Sequence, residues 1–102
     1  MFPTINKRET GLNLRRIMDS RGFTVRDVQR YLSLGSVQSV YHWLNGVSMP
    51  TIDNLYALSD LFRIPVDDMV RGNRRRFLDL EQERQYGRLS AYYAGLDGKY
   101  AA

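Results

Sequence analysis

The stretch that decides the fold is TVRDVQRYLSLGSVQSVYHWL, residues 24–44. It opens on Thr24, and Asp27 follows three residues later, which is the capping-box pattern of a helix start. Val28 and Leu32 lie one helical turn apart and give the segment an apolar stripe. The first part of the stretch therefore predicts a short amphipathic helix.

A break separates this helix from a second one. Residues 33–35 are Ser-Leu-Gly, and we expect Gly35 to turn the backbone sharply. Residues 36–45 then predict a helix that contains no Asp, Glu, Lys or Arg. Two helices across so tight a break are typical of a helix-turn-helix, whose second helix lies in the DNA major groove.

This second helix has two distinct faces. Val40 and Leu44 lie one turn apart with Trp43 beside them, so the three side chains are predicted to pack inward. We expect the tryptophan to belong to the core rather than to stack on a base. Gln38 and His42 share the opposite face, so we expect the side chains of this face to determine what the protein binds.

Helical patterns continue on both sides of the stretch. Upstream, Leu14, Ile17 and Met18 recur at helical spacing, which predicts a helix over residues 10–21 that ends at Gly22. Downstream, Asn45-Gly46 and then Pro50-Thr51 mark the end of one helix and the start of the next. A short turn over residues 65–70 closes the domain. The inward side of the fourth helix is predicted to hold Ile52, Leu55, Ser59 and Phe62.

Length and charge bound the possible functions. A chain of 102 residues fits one small domain, and we expect it to span residues 1–72, followed by a helical extension over 73–102. The net charge of +4 is uneven, since residues 1–35 carry +4, residues 36–73 carry −2 and residues 74–102 carry +2. Basic segments thus flank the uncharged helix, which favours a nucleic-acid partner. Lys7 and Arg8 form either a basic arm or a disordered terminus.

Other classes of function find little support. The chain has no cysteine, one histidine, no apolar run of membrane-spanning length and no signal-peptide pattern at its start. We therefore expect a soluble cytoplasmic protein with no membrane partner, no metal and no cofactor. A serine nucleophile at Ser36 or Ser39 beside His42 would lack an orienting acid, so an enzyme is not expected.

The last 29 residues carry two features of their own. The basic run at 74–76 could contact DNA backbone, pair with Asp79 and nearby glutamates, or be solvated. Four apolar residues further on hold i, i+3, i+4 and i+7 positions. They would either pair with a second copy, giving a homodimer with two half-sites, or pack on their own domain. This stripe consists of Leu89, Tyr92, Tyr93 and Leu96.

Residues 10–71 resemble the lambda-repressor-like domains of the Xre/Cro family of bacterial and phage regulators. The resemblance implies an all-α domain of five helices and sequence-specific DNA binding. Val25 stands where many members of the family carry glutamine. The residues that carry the likeness are Leu14, Ile17, Thr24, Val28, Leu32, Val40, Asn45, Gly46, Pro50, Leu55 and the Ile-Pro-Val-Asp sequence at 64–67.

The resemblance also implies which side chains meet DNA. The base-contacting positions are Val37, Gln38, Ser39 and His42. Phosphate contacts are expected at the helix starts and at the edges of the motif, from Thr24, Arg26, Ser36, Tyr41 and Asn45.

The predicted function is a dimeric transcriptional regulator, by default a repressor. Two alternatives stay open. An antitoxin-type regulator would use its C-terminal helix to bind a toxin. A protein-interaction module would have kept the fold and lost DNA binding, as Val25 and the acidic middle of the chain allow.

Overall fold

The computed structural model describes residues 2–74 of the chain, and its architecture is helical. The five helices of this part are α1 (Lys7–Arg21), α2 (Val25–Tyr31), α3 (Gln38–Leu44), α4 (Ile52–Phe62) and α5 (Val66–Met69). Residues 2–74 contain no strand beyond one isolated antiparallel bridge between Ile5 and Gly72. The predicted all-α, lambda-repressor-like fold is confirmed.

One apolar core joins the helices, because each of them contributes a buried side chain to it. Trp43 is only 6% exposed and belongs to this core, as its place on the inward arc predicted. Val25, which replaces the glutamine common in the family, is half-buried and packs against the same cluster. The buried cluster consists of Leu14, Ile17, Met18, Val28, Val40, Trp43, Leu44, Leu55, Leu58, Phe62 and Met69.

The first helix begins earlier than predicted. It starts at Lys7 rather than at residue 10, because the Asn6 side chain accepts a hydrogen bond from the Glu9 N–H at 2.9 Å and caps the helix. Lys7 and Arg8 are therefore helical residues, and neither a free arm nor a disordered terminus describes them. The predicted end is confirmed, since Gly22 adopts a left-handed conformation with φ of 78°.

The chain between α2 and α3 turns at two residues. Gly35 lies at a bend, as predicted, although its φ is not positive, and Ser33 adopts the left-handed conformation with φ of 55°. The Gln29 side-chain amide donates to the Leu34 carbonyl and holds the turn. A local side-chain bond thus supports a serine in a conformation that glycine ordinarily adopts.

The inward side of α4 differs from its prediction at one position. Ile52 is 82% exposed, because it is the first residue of the helix and precedes the part that packs on the core. Leu58, which was not predicted, is fully buried beside Leu55 and Phe62. Ser59 is half-buried, and its hydroxyl donates to the Ile64 carbonyl at 2.6 Å.

Glycines let α1 approach the end of α3 closely. A Cβ on Gly11 would lie 2.5 Å from the Trp43 carbonyl oxygen and 2.6 Å from that of Leu44. Gly46 has φ of 74°, and a Cβ there would lie 2.9 Å from the Cα of Arg8. Main-chain atoms of the two helices are therefore in direct contact, and this contact fixes where α3 lies.

The N-terminal segment closes the domain against the segment that follows α5. The Asn6 N–H donates to the Arg71 carbonyl at 2.8 Å, and the Asn73 N–H donates to the Thr4 carbonyl at 3.2 Å. From α1, the buried Asn13 amide donates to the carbonyls of Asp68 at 2.8 Å and Met69 at 3.0 Å. Both ends of the described chain are thus tied to α1.

Arg74 is the last described residue, and it pairs with Asp67 at 2.7 Å. The predicted pairing of the basic run with Asp79 lies outside the described residues. The predicted stripe Leu89, Tyr92, Tyr93 and Leu96 lies outside the described residues. None of the helices in residues 2–74 is long and apolar enough to cross a bilayer.

Candidate DNA interface

The helix α3 begins at Gln38, two residues later than predicted. Val37 occupies the N-cap with a helical φ and ψ, and its side chain offers no capping bond. Ser36 supplies one instead, because its Oγ accepts the Gln38 N–H at 3.3 Å. Ser36 therefore lies before the helix and supports its start, while Val37 is half-buried at the same end.

The two faces of α3 are those that the sequence predicts. Val40, Trp43 and Leu44 are buried against the core. Successive residues rotate by about 100°, so Gln38, His42 and Asn45 project from the side opposite this apolar arc. Ser39 and Tyr41 lie at the flanks, and all five except the half-buried His42 are exposed. We call these five residues the outward face of α3.

Two side chains of the outward face are bonded to each other. Gln38 and His42 lie one turn apart, and their Nε2 atoms are separated by 3.1 Å. This pairing was not predicted, although the i, i+4 spacing of the two polar residues was a signal for it. The outward face thus presents a joined amide and imidazole rather than two separate side chains.

The start of α2 is held by a complete capping box. The Thr24 Oγ1 accepts the Asp27 N–H at 3.1 Å, and the Thr24 N–H donates to Asp27 Oδ2 at 2.8 Å. Hydrogen bonds from the Thr24 N–H and from the Thr24 hydroxyl to the carboxylate lower the pKa of Asp27 below its ordinary value, with a smaller contribution from Arg30. Thr24 and Arg26 are both exposed at the start of this helix.

The surroundings of α3 offer no arrangement for catalysis. The hydrogen-bond partner of the His42 ring is Gln38, and the Ser36 hydroxyl caps the Gln38 N–H. In residues 2–74 no group of three or more His, Asp or Glu side chains is placed to hold a metal ion. A groove of about 580 Å³ lies between the N-terminal segment and α5, and no residue of α3 lines it.

Comparison with known proteins identifies the family. The helix-turn-helix family profile matches residues 14–69, which is more than half of the chain. The chain belongs to the helix-turn-helix family. This is a family of DNA-binding regulators whose members are generally not enzymes. By their order along the chain, α2 and α3 are the first and second helices of the motif. No functionally curated protein shows significant similarity to the chain.

Solved structures share the helix-turn-helix fold. The chain is similar to the DNA-binding domain of BldD, with 21% identity and a TM-score of 0.54, covering 65% of this chain and 94% of that one. The S. venezulae BldD DNA-binding domain is similar at 21% identity and a TM-score of 0.55, with 65% and 97% covered. A transcriptional regulator from Listeria innocua is 17% identical with a TM-score of 0.56, and both chains are covered completely.

Proposed function

We propose that this chain is a sequence-specific DNA-binding transcriptional regulator that reads the major groove with α3. The observation that carries the proposal is the division of α3 into an apolar face locked in the core and an outward face of uncharged polar side chains. An outward face without acids avoids repulsion from phosphates, and amide and imidazole groups match the edges of bases. The membership of the chain in the helix-turn-helix family supports the same function.

The proposed contacts divide into two classes. Gln38 and its neighbours on α3 meet base edges, where an amide pairs with adenine and the Val37 methyl groups meet a thymine methyl. Hydroxyl, amide and guanidinium groups around the motif meet phosphates and set the register. The base-contacting set is Val37, Gln38, Ser39 and His42, and the phosphate-contacting set is Thr24, Arg26, Ser36, Tyr41 and Asn45.

The proposal extends to how the protein regulates. Residues 1–72 form the DNA-binding domain, and residues 73–102 form an extension whose stripe at 89–96 joins two copies. A homodimer binds two half-sites, and by occupying its operator in the cytoplasm it represses transcription. The antitoxin alternative depends on the same extension, which lies outside the described residues.

The first experiment is selection of bound sequences from a random duplex library. The wild-type protein is expected to enrich a palindromic sequence. Gln38→Ala should reduce discrimination between that sequence and random DNA by about 1 to 3 kcal/mol. Tyr56→Ala is the matched control, because Tyr56 is 78% exposed on α4 and far in sequence from the outward face. Unchanged discrimination in Gln38→Ala would contradict the assigned face.

The salt dependence of DNA binding distinguishes the proposed regulator from the alternative, a protein-interaction module. A protein that neutralises several phosphates releases counterions, so log affinity should fall with log salt by about 0.9 per phosphate contacted. We expect a steep loss of DNA binding between low and moderate salt. The absence of any enriched sequence at every salt concentration would favour the protein-interaction alternative.

A further inference from the structure

The bond between Gln38 and His42 joins an amide nitrogen to a ring nitrogen. The two Nε2 atoms are 3.1 Å apart. An amide nitrogen donates hydrogen bonds and does not accept them, so the ring Nε2 is the acceptor in this contact. The Gln38 amide is thereby held against the His42 ring.

The same bond limits what Gln38 presents to DNA. One amide hydrogen of Gln38 is donated to His42, which leaves the Oε1 acceptor and the second amide hydrogen. Adenine offers an N6 donor and an N7 acceptor in the major groove, and these match that remaining pair. Guanine offers two acceptors there, so the Gln38 carbonyl would face an oxygen or a nitrogen lone pair.

The burial of the two residues points to different roles. Gln38 is exposed in the first turn of α3, whereas His42 is half-buried one turn further along the helix. A free glutamine side chain occupies several rotamers and loses that freedom on binding. A glutamine that is already bonded to a more buried ring has lost part of this rotamer freedom before it binds DNA. The smaller entropy cost strengthens its preference for the matching base pair.

We propose that His42 is a positioning residue that holds Gln38 as an adenine reader and contacts no base pair of its own. This inference rests on the proposed DNA-binding function, and it names the base that the outward face recognises. It refines the base-contacting set of the proposed function, because His42 then acts on base recognition through Gln38 rather than by a base contact of its own.

The test compares Gln38→Ala, His42→Ala and the double variant on the selected operator and on its single-base-pair variants. Both single variants should relax the preference at the same A·T pair. We expect Gln38→Ala to cost about tenfold or more in that preference and His42→Ala about two- to tenfold. The double variant should match Gln38→Ala, since His42 acts through Gln38. Relaxation at two different base pairs, with effects that multiply, would overturn the inference.

Two substitutions of His42 supply a readout that loss of structure does not give. His42→Gln keeps a side-chain acceptor one turn from Gln38 and should restore the adenine preference. His42→Lys is a donor only, so it bonds to the Gln38 carbonyl, leaves the amide hydrogens outward and should shift the preference towards guanine. Circular dichroism confirms that each variant is folded. A folded His42→Gln protein with no more adenine preference than His42→Ala would contradict the positioning role.

The outcomes also separate this inference from the proposed function. A wild-type protein that enriches no sequence contradicts DNA-binding regulation itself and the inference with it. A wild-type protein with a clear operator whose Gln38-dependent base pair is not A·T contradicts only the adenine assignment.

Discussion

At the scale of single residues, Gly11 decides how close α3 comes to α1. Its missing side chain leaves room for the carbonyls of Trp43 and Leu44, which are main-chain atoms and cannot rotate away. Any side chain here must push the two helices apart. The position therefore links the packing of the core to the placement of the outward face.

Gly11→Ala should be destabilising although alanine is the better helix former. The gain in helix propensity of about 1 kcal/mol is outweighed by overpacking of about 2 to 3 kcal/mol, because the atoms in the way are main-chain carbonyls. We expect a net loss of about 1 to 2 kcal/mol in the free energy of unfolding, measured by urea denaturation. Gly35→Ala is the control, because no atom lies within 4 Å of a Cβ at that exposed glycine. Equal stability of the two variants would contradict the contact.

At the scale of the element, the cap of α2 combines folding with binding. Thr24 and Thr51 cap α2 and α4 in the same way, since each hydroxyl accepts an N–H three residues on, at 3.1 Å from Asp27 and at 3.2 Å from Asn54. Only Thr24 lies in the motif that is proposed to meet DNA. The two threonines are thus a natural pair for separating the roles of the hydroxyl.

Thr24→Ala and Thr51→Ala should lower stability alike and DNA affinity unequally. Loss of either cap is expected to cost about 1 kcal/mol in thermal or urea unfolding. Thr24→Ala should in addition weaken operator binding, because it removes a hydroxyl that is proposed to contact phosphate. Titration of both proteins below their unfolding temperature checks this. Equal affinity in the two variants would remove Thr24 from the phosphate-contacting set.

The capping box also makes α2 sensitive to acid. The pKa of Asp27 is lowered from its ordinary 3.8 by its hydrogen bonds to Thr24. A carboxyl with a lowered pKa stabilises the fold above the unfolded pKa, and this stabilisation is lost as the pH falls through the folded pKa. Asp27→Asn should therefore be less stable than wild type at pH 7, and the difference should close below about pH 4. A difference that stays constant between pH 3 and pH 7 would show that the charge is not involved.

The order and faces of the elements were predictable from local patterns, and their boundaries were less so. The periodicity of Leu14, Ile17 and Met18 and the i, i+4 pair Val40 and Leu44 indicated the buried faces correctly. The start of α1 was missed because its cap, Asn6, is supported by a bond to Arg71, far along the chain. The turn at Ser33 was missed because a side-chain bond from Gln29 supports it.

The candidate site, like the fold, was predictable where local patterns determine it and not where it depends on an exact helix boundary. The outward face followed from the helical period, and the contacts of its residues with DNA stay a prediction. The bond between Gln38 and His42 was within reach of the sequence, whereas the Ser36 cap depended on knowing that α3 starts two residues later.

At the scale of the whole molecule, α1 connects α3 to the segment that closes the domain. Asn13 is only 4% exposed, and its amide donates to two carbonyls at the end of α5. Asn13→Ala removes the side-chain amide that donates to these two carbonyls, the one of Met69 buried, and we expect a loss of about 1 to 3 kcal/mol in the free energy of unfolding. Leu12→Ala, a change on the same helix at a residue 47% exposed, should cost less. If calorimetry gave the two variants similar losses of unfolding free energy, Asn13 would not be the residue that ties α1 to the end of α5.

The proposed homodimer is a prediction at the same scale. Tyr93→Asp places a charge in the stripe of the extension and should convert a dimer into a monomer with weaker operator binding, because one half-site is lost. Sedimentation and titration measure the two effects. Tyr56→Asp, on the exposed side of α4, is the matched change within the described domain. A mass that stays dimeric in Tyr93→Asp would locate the dimer interface elsewhere.

The glycine contact between α1 and α3 also bears on how such a protein diversifies. The contacts that hold α3 in place are made by main-chain atoms and by inward side chains, none of which belongs to the outward face. Duplicated copies of the gene can therefore exchange residues 38, 42 and 45 without moving the helix. In the proposed DNA-binding role, each copy then acquires its own operator through a few surface substitutions, while the contact between α1 and α3 that the copies share keeps every copy folded.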